Sequence, residues 1–209
     1  MTAVLVSVPN MNWIQKHVCM ATDRILMDRR YAVNIIRPTH KPYENNLHHI
    51  LNEFMDGTYS HWLNIDADNP PMRNPLDLIE LNLDIVSMPT PIIFFTGQDA
   101  PVYWNAYKTK NDGYIPWPVM EDLQEVDATG SGAVLYSRKV FENPEMRKAP
   151  FQRTFYPDGT VEKGCDIAFS ERAKAQGIKI HAHYGYPCRH FNEVDAHEMT
   201  QEFKRYYHG

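Results

Sequence analysis

His61-Trp-Leu-Asn-Ile-Asp-Ala-Asp-Asn-Pro-Pro71 reads as a short apolar strand that ends on two carboxylates, Asp66 and Asp68. Residues i and i+2 of a strand share a face, so the two carboxylates project together and repel. A divalent cation such as Mg²⁺ or Mn²⁺ relieves that repulsion, because hard cations take carboxylate oxygens. Asn69-Pro70-Pro71 then stops the strand and opens a loop. Open α/β sheets bind ligands just beyond the carboxyl ends of their strands. Asp and Asn are also turn formers, and a single Asp-x-Asp taken alone favours a solvated turn. The flanking elements change that balance.

Upstream, Val4 to Val8 is a continuous apolar run ended by Pro9-Asn10, as suits a strand buried on both faces. Asn10 or Asn12 is placed to cap a helix running to about Arg30, with Ile14, Val18, Ile25 and Leu26 on one side. Val33 to Ile36 is a second strand, ended by Arg37-Pro38. Pro42 to Met55 predicts a second helix, with Leu47, Ile50, Leu51 and Phe54 at helical spacing and Asp56-Gly57 as its stop. With the strand before Asp66, this is the βαβαβ order of a nucleotide-binding half with right-handed crossovers.

Downstream, Asn74-Pro75 opens a short helix over Leu76 to Leu83, and Ile85–Ser87 and Pro91–Phe95 are strand material. Residues 97–125 are richer in aromatics and proline and predict a less regular hairpin and loop region. Gly130 and Gly132 precede a strand over Ala133–Tyr136, where glycine permits a ligand or another backbone to come close. Residues 143–165, with three prolines and two glycines, predict a long loop. Asp166 to Gln176 predicts a helix with Asp166 as N-cap and Gly177 just past its end. Ile178–His183 alternates as a strand, Pro187–Phe191 is a loop, and Asp195–Tyr207 predicts a closing helix.

The whole chain bounds the possibilities. Its 209 residues, 43% hydrophobic and 22% charged, suit one α/β domain with a sizeable core. The expected division is a nucleotide-binding half, 1–96, and an acceptor-side half, 97–209. A net charge of −5 argues against a protein held to nucleic acid by a general basic field. Three cysteines, Cys19, Cys165 and Cys188, lack metal-site spacing and point to a reduced, cytoplasmic setting. The first residues lack the basic start of a signal peptide, and no apolar run approaches the roughly 18–20 residues that span a bilayer.

Taken in order, five signals resemble glycosyltransferases of the GT-A fold, in particular the family 2-like group. They are the βαβαβ start, Ile65-Asp-Ala-Asp68, the Gly130-Ser-Gly132 turn before a strand, the Asp166-Ile-Ala-Phe-Ser-Glu-Arg-Ala-Lys-Ala-Gln-Gly177 segment, and His190. The resemblance covers nearly the whole chain. It implies a Rossmann-like, mostly parallel central sheet flanked by helices, and transfer of a sugar from a nucleotide-sugar donor, a UDP-sugar being the expected one.

The resemblance also implies roles. Asp68 is the direct metal ligand, Asp66 contacts ribose, the metal or its waters, and His190 completes the sphere of Mn²⁺ (or Mg²⁺). His183 is a fallback ligand, whereas a histidine on a strand is more often structural. Asp166 is the general base of an inverting transfer, taking the acceptor's proton as the acceptor attacks the anomeric carbon. Against that stands its plain use as an N-cap, together with a departure from the family pattern: Cys165 occupies a position that is usually acidic. Glu162 is a remote substitute. Donor contacts fall on Pro9, Asn10, Arg37, Asn46, Gly130 and Gly132. Trp104, Tyr114 and Trp117 are candidates for an acceptor platform, although aromatics are more often core.

Two other readings remain open. A sugar-phosphate nucleotidyltransferase uses a similar sheet and acidic ligands, but it opens with a glycine-rich basic loop after its first strand, where this chain has Pro9-Asn-Met-Asn-Trp13. A non-catalytic nucleotide-sugar-binding protein of the same fold is the third. The acceptor, whether protein, glycan or modified DNA base, is not legible. Lys108, Lys110, Arg138, Lys139, Arg147 and Lys148 would suit an anionic one, but a scatter of solvated charges is the more ordinary reading.

Overall fold

The computed structural model describes residues 2–93, 102–111, 113–119 and 121–191. Its first half runs β1 (Ala3–Ser7), α1 (Lys16–Leu26), β2 (Ala32–Ile36), α2 (Tyr43–Asp56), β3 (His61–Ile65), a 3₁₀ helix (Pro75–Leu81), β4 (Ile85–Ser87) and β5 (Pro91–Ile93). There follow β6 (Val102–Trp104), β7 (Ala106–Lys110), β8 (Gly113–Pro116), β9 (Leu123–Val126), β10 (Ala128–Thr129) and β11 (Ala133–Ser137). The remainder is α3 (Arg138–Glu142), α4 (Pro144–Lys148), β12 (Thr154–Phe155), β13 (Val161–Lys163), α5 (Cys165–Ala175) and β14 (Ile180–His183). The expected helix over Asp195–Tyr207 lies outside the described residues, as does the end of the strand expected at Pro91–Phe95.

A seven-stranded sheet in the order β2-β1-β3-β11-β4-β14-β9 forms the centre. Strands β1, β2, β3, β4 and β14 run one way, and β11 and β9 run against them. Strands from either side of residue 96 therefore interleave in one sheet. The path from β1 goes out to β2 and returns past β1 to β3, so the carboxyl ends of β1 and β3 flank the point where winding reverses, the usual place for a ligand in such sheets.

The alternation of side chains along β1 builds two cores. Val4, Val6 and Val8 face α1, joining Val18, Ile25, Leu63 and Ile65, whereas Leu5 faces α2 with Leu47, Ile50, Leu51, Phe54 and Trp62. Trp62 is fully buried, with Phe54, Tyr136, Phe141 and Phe151 around it at ring separations of 5.1–6.2 Å. Its indole N–H donates to Ser7 Oγ at 2.7 Å, and Ser7 donates on to Asn64 Oδ1 at 2.9 Å. Among the described residues, no helix is long and apolar enough to cross a membrane.

Several expected boundaries move. Helix α1 starts at Lys16 with Gln15 as its cap and ends at Leu26, four residues short of the expected Arg30, with Leu26 exposed and not on the buried side. Asn10 does not cap it, because its side chain turns inward to the carbonyls of Val8, Arg37 and Pro38. The segment after Asn74-Pro75 is 3₁₀ and stops at Leu81. The expected loop 143–165 contains α4, capped by Asn143, and the β12–β13 hairpin, turned by Asp158-Gly159 with Gly159 at φ 86°. Helix α5 begins at Cys165 with Gly164 in the cap position, so Asp166 is the second helical residue and not the N-cap.

Arg138 holds the far end of α2. Its guanidinium donates to the carbonyls of Phe54 and Met55, acceptors the helix end leaves unsatisfied, and to those of Gly57 and Tyr59 just beyond it. Replacing Trp62 by Ala is expected to cost about 3–5 kcal/mol in urea unfolding. Ser7→Ala, which leaves the buried indole N–H without an acceptor, is expected to cost about 1–3 kcal/mol.

Candidate functional site

Trp62, Asn64 and Asp66 share one face at the end of β3, and the chain turns at Asp66 through Asn69 N–H donating to Asp66 O at 3.1 Å. The carboxylate of Asp66 is a junction. Tyr43 OH donates to Oδ1 at 2.5 Å, Asn64 Nδ2 to Oδ1 at 3.4 Å, and Ser131 Oγ to Oδ2 at 2.9 Å. Burial nevertheless dominates and pushes its pKa up to about 7; those hydrogen bonds oppose the rise and the charge of Asp68 adds to it. Both oxygens are thus engaged by the protein, which leaves Asp68 as the carboxylate that faces the C-terminal loop.

Asp68 meets His190 there. His190 Nε2 lies 3.7 Å from Asp68 Oδ2, and its Nδ1 is 3.0 Å from the carbonyl of Pro91. A carbonyl only accepts, so Nδ1 carries a proton and Nε2 is the nitrogen turned toward Asp68. Burial raises the pKa of Asp68, and His190 opposes that. The loop bearing His190 is fastened along its length: Cys188 N–H to Pro89 O, Arg189 N–H to Pro70 O, Phe191 N–H to Asp68 O, and Asn69 Nδ2 to Arg189 O. Among the described residues, no group of three or more His, Cys, Asp or Glu side chains is arranged to hold a metal; Asp68 and His190 come together as a pair.

Beyond Asp66, a crevice of about 10 Å³, room for about one water, lies between Asn64, Gly130-Ser131, Tyr136, Phe151 and the start of α5 at Cys165-Asp166. Asp166 Oδ1 accepts from the N–H of Ile167 at 2.9 Å, and burial pushes its carboxyl upward, opposed in part by Arg153. Arg153 also pairs with Glu44 in the first turn of α2. Burial drives the Cys165 thiol up to about 12. Ser131 touches both Asp66 and the crevice, so it connects the Asp68–His190 pair with Asp166.

The other expected contacts are spread more widely. Pro9 is buried at the end of β1, and Asn46 is fully buried, bonded to His40 N–H and Pro38 O, so that Asn10 and Asn46 together shape the β2–α2 loop. Arg37 donates to Thr22 Oγ1 at 3.3 Å on α1. A Cβ on Gly130 would meet Asn105 Nδ2 at 2.5 Å, and one on Gly132 would meet Thr90 Oγ1 at 2.4 Å, so close packing already requires both glycines. Tyr114 bonds Glu171, Trp117 lies under Lys108, and Trp104 packs against Tyr184; these three do not form one platform. His183 packs on Tyr186, and Glu162 is exposed on β13. Sequence reasoning missed Tyr43, whose role depends on α2 reaching β3, and passed over Ser131 between the two glycines it did single out.

No protein-family profile matches the chain, and no curated protein sequence matches it. Solved structures do. The crystal structure of A197 from STIV superposes with a TM-score of 0.60 at 16% identity, over 92% of this chain and 87% of that one. GalNAc-T7 with UDP, GalNAc and Mn²⁺ gives 0.53 at 10% identity, over 93% of this chain, which spans 44% of GalNAc-T7. UDP-glucose pyrophosphorylase complexed with UDP-glucose gives 0.50 at 10% identity, over 100% and 99%. At these identities the likeness establishes the fold: a mainly parallel sheet flanked by helices, of GT-A and Rossmann-like type.

The raised Asp66 carboxyl sets a direction for stability. With its folded pKa above the unfolded value near 4, the folded state holds the proton more tightly, so this group's contribution is largest at low pH and is lost as pH rises through about 7. Unfolding of the wild type and Asp66→Asn in urea, without metal, is therefore expected to show the wild type losing stability relative to the variant between about pH 4 and pH 7.

Proposed function

We propose that this chain is a metal-dependent glycosyltransferase that moves a sugar from a nucleoside-diphosphate donor, expected to be a UDP-sugar, to an acceptor hydroxyl or amine. The observation that carries the reading is the Asp68–His190 pair, with the tautomer of His190 fixed by Pro91 so that Nε2 confronts Asp68 Oδ2 at 3.7 Å. One oxygen and one imidazole nitrogen in that relation suit Mn²⁺ better than Mg²⁺, which prefers oxygen alone. The second-layer hydrogen bond to a backbone carbonyl is the support that metal-binding histidines ordinarily have. GalNAc-T7, one of the similar folds, was crystallised with Mn²⁺ and UDP. When bound, the metal neutralises diphosphate charge as the glycosidic bond breaks.

The remaining work falls to side chains. Asp68 and His190 would hold the metal at the edge of the sheet, where its charge would receive the donor's diphosphate end. Asp66, tied to Tyr43, Asn64 and Ser131, fixes the position of the turn that bears Asp68. Asp166 takes the proton of the acceptor as its oxygen or nitrogen bonds to the anomeric carbon and the nucleoside diphosphate leaves. A partly buried carboxyl with a raised pKa is a stronger base than a solvated one. The nucleotidyltransferase reading is weaker, because the β1–α1 connection Pro9-Asn-Met-Asn-Trp13 has no glycine and no cation before Lys16 to cradle a triphosphate.

Thermal shift with UDP, GDP, ADP, CDP and dTDP, each with and without MnCl₂, tests the reading. A nucleoside diphosphate at 100 times its Kd stabilises by about 2.7 kcal/mol. One of them is expected to shift the transition only with metal, and Asp68→Asn and His190→Ala are expected to abolish that shift. Asp166→Asn is expected to keep it and to lose transfer by at least about 100-fold, the usual contribution of a general base. A shift given by triphosphates and not by diphosphates would move the assignment to a nucleotidyltransferase, and no shift with any nucleotide would end it.

A further inference from the structure

His17 is a histidine that the proposed metal pair does not use, and its setting is built from both sides onto the Asp66-Ala67-Asp68 turn. It is the second residue of α1, where the chain leaves β1 at the point of winding reversal. On one side, Gln15 Oε1 accepts both the backbone N–H of His17 at 2.5 Å and its ring Nδ1 at 3.0 Å, while the backbone N–H of Gln15 donates to Ala67 O at 2.8 Å. On the other side, the ring of His17 stacks on Phe191, with centroids 4.9 Å apart and planes 7° from parallel, and the backbone N–H of Phe191 donates to Asp68 O at 3.1 Å. Both supports of the imidazole thus end on the turn that presents Asp68.

The hydrogen bonds also settle its chemistry. The Gln15 side-chain atom that accepts a backbone N–H is its oxygen, so Nδ1 of His17 is the protonated nitrogen. Nε2 is left for a ligand, and no described residue bonds it. A ring clamped by a stack and a side-chain amide has little rotamer freedom left to lose on binding. Asp68 and His190 supply two ligands to one ion, and a diphosphate has more oxygens than one ion can hold. The ring of His17 is held by Gln15 and Phe191, whereas His190 lies against Asp68 and Pro91, which separates the settings of the two histidines.

We infer that His17 is a binding residue for the diphosphate of the donor, its Nε2–H in the imidazolium form donating to a phosphate oxygen beside the Asp68–His190 pair. This rests on the proposed transferase reading, and deepens it by assigning α1 a direct part in holding the leaving group. Charge-assisted hydrogen bonds to phosphate are the stronger class, so the loss of one is felt in affinity.

Calorimetric titration of the wild type, His17→Phe and His17→Gln with UDP, GDP, ADP, CDP and dTDP in MnCl₂ tests it. Phenylalanine keeps the stack on Phe191 and removes the nitrogen; glutamine restores an N–H donor at the position of Nε2. His17→Phe is expected to bind the preferred diphosphate about tenfold more weakly, equivalent to about 1.4 kcal/mol, with its melting temperature unchanged. His17→Gln is expected to recover most of that loss. Wild-type affinity in His17→Phe would overturn this inference and leave the transferase reading standing. A glutamine variant as weak as the phenylalanine one would also overturn it, because a restored N–H donor would then have restored nothing. No metal-dependent binding by the wild type would remove the transferase reading and this inference with it.

Discussion

The structure turns on a carboxylate that is costly to bury. Asp66 sits at the end of a strand whose last four residues are all buried, and its desolvation is offset by Tyr43 from α2, Asn64 from β3 and Ser131 from the turn before β11. The chain of donors reaches deeper, because Asn64 is itself bonded by Ser7, and Ser7 by the indole of Trp62. One polar path thus runs from the aromatic core to the sheet edge. Its members lie on one face because β1 and β3 are adjacent and in parallel register, Val6 opposite Leu63 and Ser7 opposite Asn64. The backbone takes part as well: Asp66 N–H donates to Gly132 O at 2.8 Å, extending the β3–β11 ladder one step past the strand. That approach brings Gly132 against Thr90 and Asn69, where a side chain has no space.

The second constraint is closure of a long loop. Asn69 Nδ2 bonds Arg189 O across 120 positions of sequence, and Pro71 bridges Cys188. Bringing two such distant segments together costs chain entropy that grows only slowly with loop length, so a handful of backbone hydrogen bonds suffices once the sheet between them has formed. Strand β4 and parallel strand β14 supply that sheet, delivering residues 89–91 and 187–191 to the same edge. His190 reaches Asp68 because two loops are stitched together, and its tautomer is fixed by a third segment at Pro91.

These dependencies explain what sequence could and could not reveal. The strand before Asp66 and the buried face of α2 were legible, since each is a local pattern: a bounded apolar run, and Leu47, Ile50, Leu51 and Phe54 at helical spacing, all buried. The same held for the Asn74-Pro75 start, yet Asn143-Pro144 carries the identical signal and was absorbed into an expected loop because of the prolines and glycines that follow it. Asn10 misled for a tertiary reason. Its short amide suits a cap, but the carbonyls of Val8 and Pro38 compete for it and win, and Gln15 caps α1 five residues later. Tyr43 and Phe191 had no local mark at all, since what each does depends on a segment remote in sequence.

Cys165 is where local pattern and environment meet. The resemblance expects an acidic residue immediately before Asp166, and this chain has a thiol whose side chain borders the same crevice. An acid there would put a second carboxylate beside Asp166 on a crevice with space for one water, within reach of the charge of Asp66. Like charges so close in a dry site cannot all ionise, and each would raise the others. The thiol avoids this: burial first, then the charges of Asp166, Glu44 and Asp66, push it up to about 12, so it stays neutral wherever the carboxylates titrate. The crevice therefore keeps Asp166 as a carboxylate that can gain and lose a proton without competition at its own helix terminus. Arg153, paired with Glu44, supplies the one opposing charge that reaches it.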